Sequence, residues 1–154
     1  MALKGDRLEL QHDISYFMNE VAEKGGVVSF STGGSGAALD QSAALVTYAA
    51  NSSGKKPLGI LLNDMVNLDL TRQHVNQHKN EVQKGGKVTI LRKGWVLTNF
   101  VNGSPGVGSG AYLTSSGYLQ ITQSATGGEV CNPTVGTFIS HVDEDGYAKV
   151  ELKL

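Results

Sequence analysis

His74 and His78 stand at i and i+4, with Glu81 three residues further on. On a helix the two imidazoles would share a face, and with a nearby carboxylate they would make a donor set for a metal ion. Their surroundings argue otherwise: from Thr71 to Gly86 only Val75 and Val82 are apolar, so two solvated histidines and no metal are expected. Cys131 precedes His141 by ten residues, but a thiol nucleophile needs a lowered pKa and an adjacent base, and neither is visible here. Gly34-Ser35-Gly36 departs from the G-x-S-x-G nucleophile elbow because Ala37 stands where the last glycine is required. Gly106-Val107-Gly108-Ser109-Gly110-Ala111 satisfies a dinucleotide-type glycine string. It leads into an extended run rather than into the helix whose N-terminus would hold a pyrophosphate. Asp64 and Asp69 are too scattered for a paired-carboxylate catalyst. Trp95, Tyr112, Tyr118 and Tyr147 could make a sugar platform, although aromatics that open strands more often pack across strands or anchor interfaces. No catalytic, cofactor-binding or metal-ligating residue is therefore assigned, and the chain is expected not to be an enzyme.

Composition points the same way. The 154 residues suit one domain. Charged residues make up 18% of the chain, against a usual share of about 25%. Glycine occurs 20 times with only 3 prolines, which favours many tight turns. A net charge of −1 gives no basic field for nucleic acid or for an anionic membrane surface. One cysteine excludes an internal disulfide. No apolar run reaches the roughly 20 residues of a membrane helix, and Met1–Arg7 lacks the pattern of a secretion signal. Synthesis in a cytosol is expected.

The elements that would carry any site are extended. Leu58, Ile60, Leu62, Val66, Leu68 and Leu70 share one parity, broken at Asp64. That predicts a strand with six aliphatics on one face and a bulge near Asn63-Asp64. Ala148, Val150, Leu152 and Leu154 alternate with Tyr147, Lys149, Glu151 and Lys153. Further strands are predicted at 27–32, 44–50, 87–91, 95–101, 111–114, 118–123 and 137–142. Gly54, Gly94, Gly117 and Gly146 each close a predicted turn. Residues 14–24 read two ways. Ile14, Phe17, Met18 and Val21 have helical spacing behind a possible Asp13 cap, yet they also continue the alternation of Leu8 and Leu10. The fold expected is all-β: an antiparallel sandwich or barrel of short strands and hairpins over 27–154. Ahead of it, residues 1–26 form an arm or short helix, and residues 71–86 form one polar excursion, as a surface helix or a detour between strands.

Three ordered stretches carry a resemblance. Pro57-Leu58-Gly59-Ile60-Leu61-Leu62-Asn63-Asp64 runs on to His74. Gly86-Lys87-Val88-Thr89-Ile90-Leu91 runs on through Gly94-Trp95 to Asn99. Val135-Gly136-Thr137-Phe138 closes through Asp145-Gly146-Tyr147-Ala148-Lys149-Val150. In this order, over about residues 14–154, the chain resembles the head decoration (cement) proteins of tailed bacteriophages. The resemblance implies a β-rich, non-enzymatic virion protein, commonly a homotrimer, on the outer surface of the capsid. Its partner would be the major capsid protein, whose lattice it would stabilise after head expansion.

For the contact with that lattice, Leu3, Leu8, Leu10, Ile14 and Phe17 are the candidates. They are apolar teeth in a segment able to add a strand to a partner's sheet; an ordinary first strand and helix of the domain is the other reading of residues 3–17. The alternative function is a carbohydrate-binding or receptor-attachment module of a tail or neck component, suggested by the Tyr/Trp candidates and the Gly/Ser loops. A hydrolase using Ser35 or Cys131 is a distant third.

Overall fold

The computed structural model of the chain describes residues 2–32, 44–64, 80–123 and 132–154. Among these the architecture is β throughout. The first six strands are β1 (Leu3–Met18), β2 (Ala22–Glu23), β3 (Val27–Thr32), β4 (Leu45–Thr47), β5 (Pro57–Asp64) and β6 (Glu81–Val82). The other six are β7 (Lys87–Thr98), β8 (Val101–Asn102), β9 (Gly110–Leu113), β10 (Leu119–Gln120), β11 (Thr134–Phe138) and β12 (Ala148–Lys153). A single 3-10 turn at Ser115–Gly117 interrupts them. Ten strands form one sheet in the order β1-β4-β3-β5-β7-β12-β11-β9-β10-β8, and β2 and β6 form a small second sheet. The large sheet is mixed, because β1–β4 and β8–β10 run parallel. It is not a closed barrel; β8 ends it.

β7 organises the sheet. Its first half pairs with β5, its second half with β12, and its other edge carries β1 along nearly the whole length. Two buried clusters lie on opposite sides of the β5–β7 pair. Ile60, Leu62 and Leu91 join Phe138, Leu113 and Val150 in one, while Leu58, Leu61 and Ile90 join Met18, Val46 and Val82 in the other. Strands covered on both faces read as near-continuous apolar runs, as Leu58–Leu62 and Val88–Leu91 do.

This arrangement corrects the expectation of one apolar face on β5. Val28 pairs with Gly59 but Ser29 with Pro57, so Leu58 is an extra residue that turns out of step. A second irregularity follows between Leu61 and Asn63, where the bulge was predicted. Residues 65–70 of the predicted strand lie outside the described residues. The alternation in β12 holds: Ala148, Val150 and Leu152 are buried, and Lys149, Glu151 and Lys153 face away.

Of the two readings of residues 14–24, the extended one holds over 14–18: they complete β1, and the chain then turns into β2. Two other expectations are corrected. The strands are not all short, since β1 has 16 residues and β7 has 12. No hairpin forms at Arg92-Lys93-Gly94, where β7 continues unbroken. The turns at Gly117 and Gly146 do form. Their φ angles are +80° and +85°, and they join β9 to β10 and β11 to β12. Of the polar excursion, residues 71–79 lie outside the described residues; its end supplies β6, which pairs with β2.

Candidate partner-binding surface

β1 is extended because its residues alternate and because β7 offers it a long edge. Antiparallel pairing runs from Leu3 opposite Thr98 to Phe17 opposite Lys87, with four irregularities on the way. On its other edge β1 meets β4 only at Phe17 and Met18. Among the described residues, the remainder of that edge carries no strand. β1, in the segment expected outside the main sheet, is thus a strand of the ten-stranded sheet.

The five candidate contact residues separate. Leu3 is buried in the core with Val27, Leu62 and Val96. Phe17 is half-buried, with the Lys87 ammonium 6.0 Å from its ring centroid. Leu8, Leu10 and Ile14 are 44%, 69% and 41% exposed. Three large aliphatics on one strand, beside an open edge, are costly to leave in water and suited to being covered. The charged residues Arg7, Glu9 and Asp13 alternate with them, which keeps the edge from pairing indiscriminately.

The start of β1 is tied down at both ends of a short cross-link. The Asn99 amide donates to the carbonyl of Ala2 at 2.9 Å. The Lys4 ammonium donates to Asp143 Oδ2 at 3.2 Å, lies 3.9 Å from Asp145, and sits 4.2 Å from the centroid of the Tyr147 ring. Asp143 Oδ1 accepts from the amides of Tyr147 and Asp145 at 2.8 and 3.0 Å. The Tyr147 amide foremost, and then Lys4, hold the Asp143 carboxyl below the ordinary aspartate value. A group with a depressed folded-state pKa adds stability above its ordinary pKa and loses it as pH falls through the folded value. Acid is therefore expected to release this tie: NMR titration should place the Asp143 midpoint below 3.8, with Tyr147 amide exchange rising across it. A midpoint at or above the ordinary value contradicts the arrangement. Sequence reasoning missed this cluster because Lys4 and the Asp143–Tyr147 turn lie at opposite ends of the chain.

The other candidates do not assemble into a site. Ser35, Asp69, His74, His78 and Cys131 lie outside the described residues, Glu81 pairs in β6, and Asp64 ends β5 opposite Val88. His141 Nδ1 is 3.1 Å from the carbonyl of Pro105. The glycine string at 106–111 leads into β9, as predicted. The four aromatics have separate partners rather than a shared platform. The Lys149 ammonium lies 3.4 Å from the Trp95 ring centroid, Tyr147 faces Lys4, Tyr118 packs on Phe100 at 4.8 Å, and Tyr112 lies along β9. Among the described residues no three His, Cys, Asp or Glu side chains are grouped to hold a metal, and no helix is long and apolar enough to cross a membrane.

No curated protein matches the chain. A family model does, over residues 9–153, and its description is structural cement protein (E217 gp24/Pam3 gp6).

Proposed function

Because the chain belongs to the phage structural cement protein family, a family of non-enzymatic virion components, we propose that it binds the outer surface of the head. There it would grip the lattice of major capsid protein and stabilise the shell after expansion. The observation that carries this reading is the open edge of β1 with Leu8, Leu10 and Ile14 exposed beside it. That edge offers main-chain hydrogen bonds for affinity and apolar side chains for fit, the two requirements of strand addition. Leu8, Leu10 and Ile14 are the proposed contacts. Leu3 and Phe17 support them from the core and from the β1–β4 junction.

Assembly as a homotrimer follows the same logic. Three copies engaging three lattice points at once multiply weak contacts through effective concentration. The protein, made in the bacterial host cytoplasm, would join the particle when expansion creates the repeated site. Purified protein mixed with expanded heads, unexpanded heads and soluble capsid subunits should sediment with the expanded heads far more than with the other two. Equal association with all three would refute lattice recognition.

A further inference from the structure

The pairing of β1 with β7 slips most at its start. Leu3 lies opposite Thr98 and Arg7 opposite Val96, so four steps along β1 match two along β7. Beside these surplus residues lies a cavity of about 220 Å³. Leu3 and Leu62, both buried, contribute apolar lining. Lys4, Arg7, Lys24, Asn63 and Asn80 contribute polar lining, and no carboxylate residue lines it among the described residues. Gly5 also lines it, and a side chain added there would meet open space.

The chain as a whole is nearly neutral, yet three cationic residues line this cavity. Lys4 is engaged by Asp143 and Asp145, and Arg7 by Glu9, all from outside the lining. Lys24 has no ion-pair partner among the described residues. The Asn80 side-chain amide adds a donor that can point at an oxygen. A bulge that re-aims side chains into a pocket is a recurrent device beside binding sites.

We infer that the cavity at the bulged start of β1 is an oxyanion site that receives a carboxylate side chain of the partner docked along β1. This rests on the capsid reading above and deepens it, because it gives the docking segment a chemistry. The segment is extended, with an acidic residue that reaches the cavity while apolar residues cover Leu8 and Leu10. A partly enclosed cation meeting a carboxylate gains more than an exposed pair and fixes register.

Two measurements separate the parts. Titration of the isolated protein with inorganic phosphate, followed through the amide resonances of Gly5, Lys24 and Asn80, should give saturable shifts that Lys24→Gln abolishes. No saturable shift overturns the site. In the head-binding assay, Lys24→Glu should weaken association by about tenfold or more and flatten its salt dependence, while Lys55→Glu should leave it unchanged. The Lys24 backbone amide, not its side chain, donates to Asn80, so these variants keep the β2–β6 link. Wild-type protein that ignores heads refutes the capsid reading and the partner's role with it. Lys24→Glu that binds heads as wild type does overturns the carboxylate role alone, and phosphate shifts without that loss reduce the cavity to a small-ion site.

Discussion

Gly94→Ala is expected to detach part of β1 from β7 and to lower stability by about 2–4 kcal/mol. For a chain of this length that corresponds to a fall in Tm of about 5–15 °C. Two effects add. Gly94 has a φ of +133°, a region that residues with a Cβ rarely adopt. A methyl there would also overlap the carbonyl oxygen of Leu8 on the neighbouring strand. Neither neighbour can yield, since Gly94 lies opposite Glu9 on one side and Leu152 on the other. Thermal denaturation measures the total, and hydrogen exchange locates it: amides of Leu8 to Gln11 should lose protection before those of β12. Gly5→Ala is the control, because its added methyl meets nothing. Equal stability of Gly94→Ala and Gly5→Ala would show that β1 does not lie against β7 at this point.

Leu8→Asp combined with Leu10→Asp should reduce binding to expanded heads by at least about 100-fold, or about 2.7 kcal/mol in all. Both residues are substantially exposed in the isolated chain, so the fold itself loses little. Covering them would remove apolar area from water at about 25 cal/mol per Å², and an aspartate left in the same place would be buried without a partner. Because the proposed attachment is multivalent, a deficit at each copy compounds over the assembly. Thermal melting of the double variant should match the wild type while its sedimentation with heads fails. Undiminished sedimentation would move the docking surface away from β1.

Much of the fold was legible because short strands with one dry face announce themselves. β3 falls at 27–32 as read, β9 and β12 differ by a residue or so, and the turns at Gly117 and Gly146 stand where positive φ was needed. What was misread has identifiable causes. A glycine between two apolar runs signals a turn or a close backbone approach with equal force. At Gly94 the approach of Leu8 is decisive, and that contact belongs to a strand far away in the chain. Residues 14–24 stayed open between helix and strand because Ile14, Phe17, Met18 and Val21 satisfy both spacings; pairing with Lys87, Val88 and Leu45 decides for the strand over 14–18. The parity of β5 failed because Leu58 is a bulge residue, and the partner of a bulge cannot be read from one strand.

The candidate surface was half legible for a related reason. Apolar type alone marked Leu3, Leu8, Leu10, Ile14 and Phe17 equally. Only the irregular register with β7 separates Leu3, which enters the core, from the three that stay outside. The cationic cavity was invisible, since Lys4, Lys24 and Asn80 come together through tertiary pairing and share no motif.

The pairing of Leu3 with Thr98 also carries a temporal consequence. A ribosome finishes β1 long before it has made the strand that shelters it, so the aliphatic edge emerges without its neighbour. Closing so large a loop is slow compared with forming a local hairpin. Newly made chains therefore pass through an interval in which host chaperones and sister chains compete for the same ribbon of leucines.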